Sequence, residues 1–194
     1  AFTFDPDGSG PISPITMDVF DWAPGSSLIL GAVPLDSAGK SVTQYGHAKL
    51  ANLQYLGSNV SVAAPGEFTV VFGFGEVGTG SVSNVASFTY DPSNATNFFR
   101  VYYDPANNAS DLAGTGFDDG ILIMSGTISA ANGNYLNFAV APQPFDSFLT
   151  NDYPGITSRV GTGGQSLEMN VGFASPAFFP VEQPATLLLN QSQI

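Results

Sequence analysis

The chain has no cysteine, one histidine and only four basic residues in 194, and each shortage removes a class of chemistry. Without cysteine there is no disulfide, no thiolate nucleophile and no sulfur ligand for a soft metal. His47 alone cannot build a zinc or copper centre, which needs several nitrogen or sulfur donors. Lys40, Lys49, Arg100 and Arg159 are scattered, whereas a phosphate backbone is met by clustered cations. That excludes nucleic-acid binding. Charged residues make up 10% of the chain, against roughly 25% in typical soluble proteins. Surface polarity must therefore come from Ser, Thr, Asn, Gln and Gly, as is common in secreted β-proteins. No apolar run reaches the roughly 20 residues of a membrane-spanning helix.

What the chain does have is acid, aromatic residues and turn formers. Sixteen acidic residues set a net charge of −12, which keeps molecules apart and attracts cations. Sixteen Phe within a 43% hydrophobic composition exclude wholesale disorder and supply a core. The 22 Gly and 14 Pro are spread evenly, so no linker divides the chain. The organisation expected is one domain over 1–180, with residues 1–10 as a possible N-terminal extension strand, and a tail strand over 181–194.

Between the turn formers lie short runs rich in Val, Ile, Phe, Tyr and Thr. The clearest are 15–22, 26–33, 49–56, 67–74, 81–90, 98–103, 121–129, 135–140 and 165–174. In 68–74 the even positions form one apolar face. Leu167, Met169, Val171 and Phe173 point one way and Glu168 and Asn170 the other, the period of a half-buried antiparallel strand. Only 107–113 and 144–149 hint at a helical turn. This pattern predicts an all-β fold, an antiparallel β-sandwich or jelly roll of about nine to twelve strands.

Catalytic constellations are poorly represented. A Ser-His-Asp site would have to use His47, at Gly46-His47-Ala48, and no nucleophile elbow occurs. Glu67 and Glu76 sit on one predicted strand, roughly 30 Å apart when extended, too far for a glycosidase pair. The expectation is that the protein is not an enzyme. The best metal motif is Asp5-Pro6-Asp7-Gly8-Ser9-Gly10, which fits the first half of a calcium loop. Asp5, Asp7 and Ser9 would be ligands, with Asp18 or Asp21 folding back to complete the set, so Ca2+ is the one possible cofactor. The bland alternative is a solvated turn. Asp118-Asp119, with Asp104, Asn107, Asn108 and Asp111, forms a second acidic neighbourhood with the same two readings. Trp22, Tyr45, Tyr55, Tyr102, Tyr103, Tyr135 and Tyr153 are candidates for stacking on sugar rings, against the alternative of core packing. The sequons at Asn59, Asn94, Asn108 and Asn190 are read as chance in an Asn- and Ser-rich chain.

Near the C-terminus, Glu182-Gln183-Pro184-Ala185-Thr186-Leu187-Leu188-Leu189 resembles the start of a PEP-CTERM sorting signal. Phe20-Asp21-Trp22-Ala23-Pro24-Gly25, Gly73-Phe74-Gly75-Glu76, 112–120 and Asn151-Asp152-Tyr153-Pro154-Gly155 are similar to the body of secreted proteins of that bacterial family. Glu-Gln-Pro stands where the family has Pro-Glu-Pro, and Asn190-Gln191-Ser192-Gln193 follows the leucines in place of a membrane helix. The resemblance implies an extracellular or cell-surface protein, tied to exopolysaccharide and floc or biofilm matrix, with no catalytic residues to transfer.

The functional expectation joins these strands. Ala1-Phe2-Thr3-Phe4 alternates, and Pro184–Ile194 is extended and apolar at its centre. Phe2, Phe4, Leu187, Leu188 and Leu189 would anchor a terminal strand in a neighbouring copy, giving a self-assembling filament. The alternative is a monomeric carbohydrate-binding module that tethers exopolysaccharide, possibly stabilised by calcium.

Overall fold

The computed structural model describes residues 1–31, 39–61, 65–82, 85–137, 143–144, 157–158 and 161–193. Every regular element among them is a strand. In chain order they are β1 (Phe2–Phe4), β2 (Ile15–Met17), β3 (Val19–Trp22), β4 (Ser26–Leu30), β5 (Lys40–Tyr55), β6 (Ser58–Val60) and β7 (Glu67–Val82). Then follow β8 (Val85–Tyr90), β9 (Asn97–Asp104), β10 (Ile121–Asn137), β11 (Gln143–Pro144), β12 (Thr157–Ser158), β13 (Gly161–Ala174) and β14 (Thr186–Gln193). All pairings are antiparallel, so the all-β class holds. In place of the helical turn expected at 107–113, residues 111–114 form a turn closed by the Ser110↔Thr115 bridge, with the Gly114 amide donating to the Ser110 carbonyl at 2.8 Å. Residues 145–149 of the other predicted turn lie outside the described residues.

Ten strands hydrogen-bond into one sheet rather than two separately paired ones. β5 and β7 are each 16 residues long and β10 is 17. The expected runs were shorter because internal glycines read as breakers. Gly46 shows why they are not. A Cβ there would collide with the Phe72 ring, so the glycine makes room for a core side chain within an unbroken strand.

β8 and β9 share one lane of the sheet. Residues 76–78 of β7 pair with β5 on one edge and β8 on the other. Residues 69–74 pair with β5 and β9 in the same sense. β8 and β9 therefore lie end to end along one edge of β7, and likewise along one edge of β10. The four strands close a ring of pairings around the interruption at 91–96.

Side chains repair that interruption. Asp91 accepts the Ser93 amide at 2.9 Å, the Ser93 hydroxyl at 2.6 Å and the Ser41 hydroxyl at 2.8 Å. Asn97 donates to the Ile128 carbonyl at 3.1 Å and accepts the Ile128 amide at 2.7 Å. Its carboxamide thus stands in for the missing backbone rung, satisfying both groups of a buried residue.

The sheet rolls so that inward-facing residues of distant strands meet. One core cluster joins Phe4, Leu53, Phe68, Phe72, Phe74, Phe99, Ile123, Leu167, Phe179 and Leu189. A smaller one joins Val42, Ala86 and Phe88. β1 and β2 form a hairpin that inserts Phe4 among Phe20, Phe68, Phe178 and Phe179, with ring centroids 5.3–6.3 Å apart.

Both terminal segments have a place within their own chain. β14 pairs with β13 from Gly163↔Gln193 to Asn170↔Thr186, and Phe4 is fully buried. Alternation explains the tail: Leu187 and Leu189 turn to the core, while Leu188 is 72% exposed.

Candidate functional site

The rolled sheet ends on β14 at one side and on β3 and β4 at the other. Among the described residues β14 pairs with β13 alone, and β3 and β4 with β5 alone. β3 and β14 line the same cleft, of about 590 Å³, which lies within the size range of small-molecule sites. Its deep lining includes Val70, Phe99, Val101 and Met169, its walls Phe2, Phe20, Trp22 and Leu187–Leu189, and its polar groups Asp18, Glu182 and Asn190. Phe20 and Trp22 stack with centroids 5.8 Å apart and planes 16° from parallel. The cleft is therefore an apolar slot flanked by two strands with free edges.

The register fixes which backbone groups β14 presents. The Val171 amide donates to the Ala185 carbonyl at 2.9 Å. In an antiparallel ladder that makes 169/187 and 167/189 hydrogen-bonded pairs and 168/188 and 166/190 non-hydrogen-bonded ones. The N–H and C=O of Thr186, Leu188 and Asn190 thus point away from β13. Natural edges are guarded by Lys, Pro, bulges or inward charge, and Thr-Leu-Leu-Leu-Asn-Gln-Ser-Gln contains no charged residue and no Pro.

The calcium candidates are placed differently from the ligand pattern. Asp5 accepts the amides of Asp7 at 3.3 Å and Ser9 at 3.2 Å. Asp7 accepts those of Gly10 at 3.2 Å and Ile12 at 3.0 Å. These are loop-closing bonds of Asx turns, with Gly8 and Ser9 at positive φ. Asp18 accepts the Leu56 amide at 3.1 Å and Asp21 the side-chain amides of Asn52 and Gln54, so neither folds back onto the loop. In the second acidic neighbourhood, Asp104 accepts the Ala106 amide at 2.8 Å and Asp119 the Asn108 side chain at 3.2 Å. Among the described residues no three acidic or imidazole side chains converge.

His47 lies against the Phe117 ring, centroids 4.0 Å apart, with Nε2 3.5 Å from Asp111. Glu67 accepts the Ala109 amide at 2.7 Å, while Glu76 is fully buried. Of the candidate aromatics, Tyr102 and Tyr103 are buried, Tyr45 and Tyr55 are each 37% exposed, and Trp22 alone lines the cleft. Tyr153 lies outside the described residues.

Sequence reasoning missed the interior polar layer. Glu76, Gln44 and Gln165 are 0%, 0% and 8% exposed. The Gln165 side chain donates to Glu76 Oε1 at 2.6 Å, and burial pushes the Glu76 carboxyl up to about 7, with that hydrogen bond pulling the other way. The available signal was parity. Val42, Gln44, Phe72, Phe74 and Glu76 are all even-numbered residues of β5 and β7, and their apolar members announce the inward face.

No protein-family model, curated protein or solved structure matches the chain.

Proposed function

We propose that this chain is a non-enzymatic extracellular structural protein, a subunit of a bacterial filament or biofilm matrix that assembles by exchanging β14. The single observation that carries this is the state of β14, an uncharged edge strand without Pro whose outward backbone groups are unpaired among the described residues. It follows residues 180–185, which have no regular structure and expose Val181. A strand on such a connector can leave β13 and dock on β13 of the next copy, with Leu187 and Leu189 in equivalent seats. Every contact is then regained in trans, and the heterologous contact propagates without closing. The similarity to secreted PEP-CTERM proteins agrees with an extracellular setting. In this reading the rolled sheet acts as a β-sandwich, its two ends facing across the shared core.

The double variant Glu168→Cys/Leu188→Cys tests the exchange. The pair is directly opposed and non-hydrogen-bonded, where Cα atoms approach to about 4.5 Å, within disulfide reach. No native cysteine interferes. Oxidation of assembled material should give a covalent ladder on a denaturing gel. Monomer only, at every concentration, would refute the exchange.

A second reading rests on the cleft. The Phe20–Trp22 pair beside Asp18, Glu182 and Asn190 suits a sugar ring, with an apolar face to stack and polar edges to bond. Retention on immobilised exopolysaccharide, lost in Trp22→Ala, tests it.

A further inference from the structure

The layer of Gln44, Glu76 and Gln165 separates the two apolar clusters. On β5, Val42 belongs to the smaller cluster and Gln44 follows it on the same face. On β7, Phe74 belongs to the larger cluster and Glu76 follows it. On β13, Leu167 belongs to the larger cluster and Gln165 precedes it. The registers Val42↔Glu76 and Gln44↔Phe74 make Gln44 and Glu76 diagonal neighbours, within reach for long side chains.

Among the described residues, four buried polar atoms in this layer have no partner: Glu76 Oε2, Gln165 Oε1, and both the oxygen and the nitrogen of Gln44. Buried polar groups are almost always satisfied, and a buried carboxylate needs a counter-charge as well as hydrogen bonds. Among the described residues, those facing Glu76 supply none. Tyr90 lies opposite it on β8, where its hydroxyl accepts the Asn97 side chain at 2.7 Å. Gly133, opposite Gln165 on β10, contributes no side chain, and a Cβ there would meet nothing closer than 3.4 Å. The cationic residue nearest in register is Lys40, opposite Gly78.

We propose that the Gln44–Glu76–Gln165 layer is an internal binding site for one partly dehydrated monovalent alkali cation. Three oxygens are available, from one carboxylate and two carboxamides. Oxygen donors select hard cations over those that prefer imidazole or thiolate. One carboxylate neutralises one positive charge, whereas a divalent ion would leave an uncompensated charge between two apolar clusters. Water completes the shell and accepts from the Gln44 nitrogen.

The test uses the whole chain at pH 8.5 in tetramethylammonium chloride, with NaCl or KCl substituted at constant ionic strength. Non-specific screening is then equal in every arm. The expected result is a saturable rise in Tm, on the order of 5 °C, with Na+ or K+. The rise should be absent in Glu76→Gln and reduced in Gln44→Leu. Line broadening of 23Na in the presence of wild type, reversed by K+ or by Glu76→Gln, reports the ion directly without unfolding anything. Equal Tm values in all three salts would overturn the site, leaving a protonated carboxyl with water. A rise in Tm retained in full by Glu76→Gln would overturn it too, by placing the ion elsewhere.

Discussion

Glu76 gives the sharpest test of how this interior is balanced. The perturbation is Glu76→Gln, which keeps the shape and removes the titration. In the folded chain the carboxyl titrates at about 7, against 4.5 for the exposed group. The folded state therefore holds a proton that the unfolded chain has already released. The stabilising contribution is fully present below pH 4.5 and is lost as pH rises through about 7. At 1.36 kcal/mol per unit, a gap of about 2.5 units corresponds to about 3 kcal/mol across the window. For a chain of this length that is roughly 6–12 °C in Tm.

The assay is urea denaturation of wild type and variant from pH 5 to pH 8.5 in tetramethylammonium buffers, so that no alkali ion offsets the loss. Wild type should lose stability steadily to about pH 7 and then level off, while Glu76→Gln stays flat relative to it. Taking the difference between the two proteins cancels every other titrating group too distant to couple. Parallel curves over the whole range would refute the reasoning, because they would mean that Glu76 is ionised and solvated in the folded chain. Adding NaCl should raise the wild-type plateau above pH 7 if the ion occupies the layer, which links the two measurements while leaving each able to fail separately.

Four further outcomes follow from the geometry. Leu189→Ala should cost about 2–4 kcal/mol in denaturant unfolding, because it opens the core, whereas Leu188→Ala should stay within about 0.5 kcal/mol. Leu188→Pro removes an outward-pointing N–H and leaves the β13 ladder intact, so assembly by exchange of β14, followed by size-exclusion chromatography, should persist with little change in Tm, whereas its loss would mean that copies add edge to edge instead. Asn97→Ala strips both bonds from Ile128 and should destabilise by about 2 kcal/mol, measured by urea midpoint. The Ser93 and Ser41 hydroxyls and the Ser93 amide hold the Asp91 carboxyl below its usual range. Its contribution is thus present above the ordinary carboxylate pKa and is lost as pH falls, and Asp91→Asn should flatten the acid limb of the Tm curve.

The strand content of this chain was legible because alternation is a local property. Each of the runs 67–74, 98–103 and 165–174 lies within a strand of the structure, and their inward residues form the core. Strand length was not legible, since a glycine that breaks a strand and one that clears space for Phe72 look the same in sequence. The shared lane of β8 and β9 was hidden for a related reason. Asp91 to Thr96 reads as an ordinary turn, and only the long strands on both sides, β7 and β10, reveal that the chain resumes its lane after it. The placement of β14 depended on a partner about twenty residues away, β13, whose edge no local pattern marks as free. The polar layer needed still more, because Gln44, Glu76 and Gln165 become neighbours only when the sheet rolls. A lone Glu in the run Gly73-Phe74-Gly75-Glu76 reads as the polar end of a strand. Its parity with Phe72 and Phe74 says instead that it faces inward, and an inward carboxylate in a chain with four cations has to be neutralised by a proton, a lysine or an ion. Composition thus bears on the interior as well as the surface. On the proposed cation site, the scarcity of Lys and Arg is what leaves Glu76 to find its counter-charge from solvent.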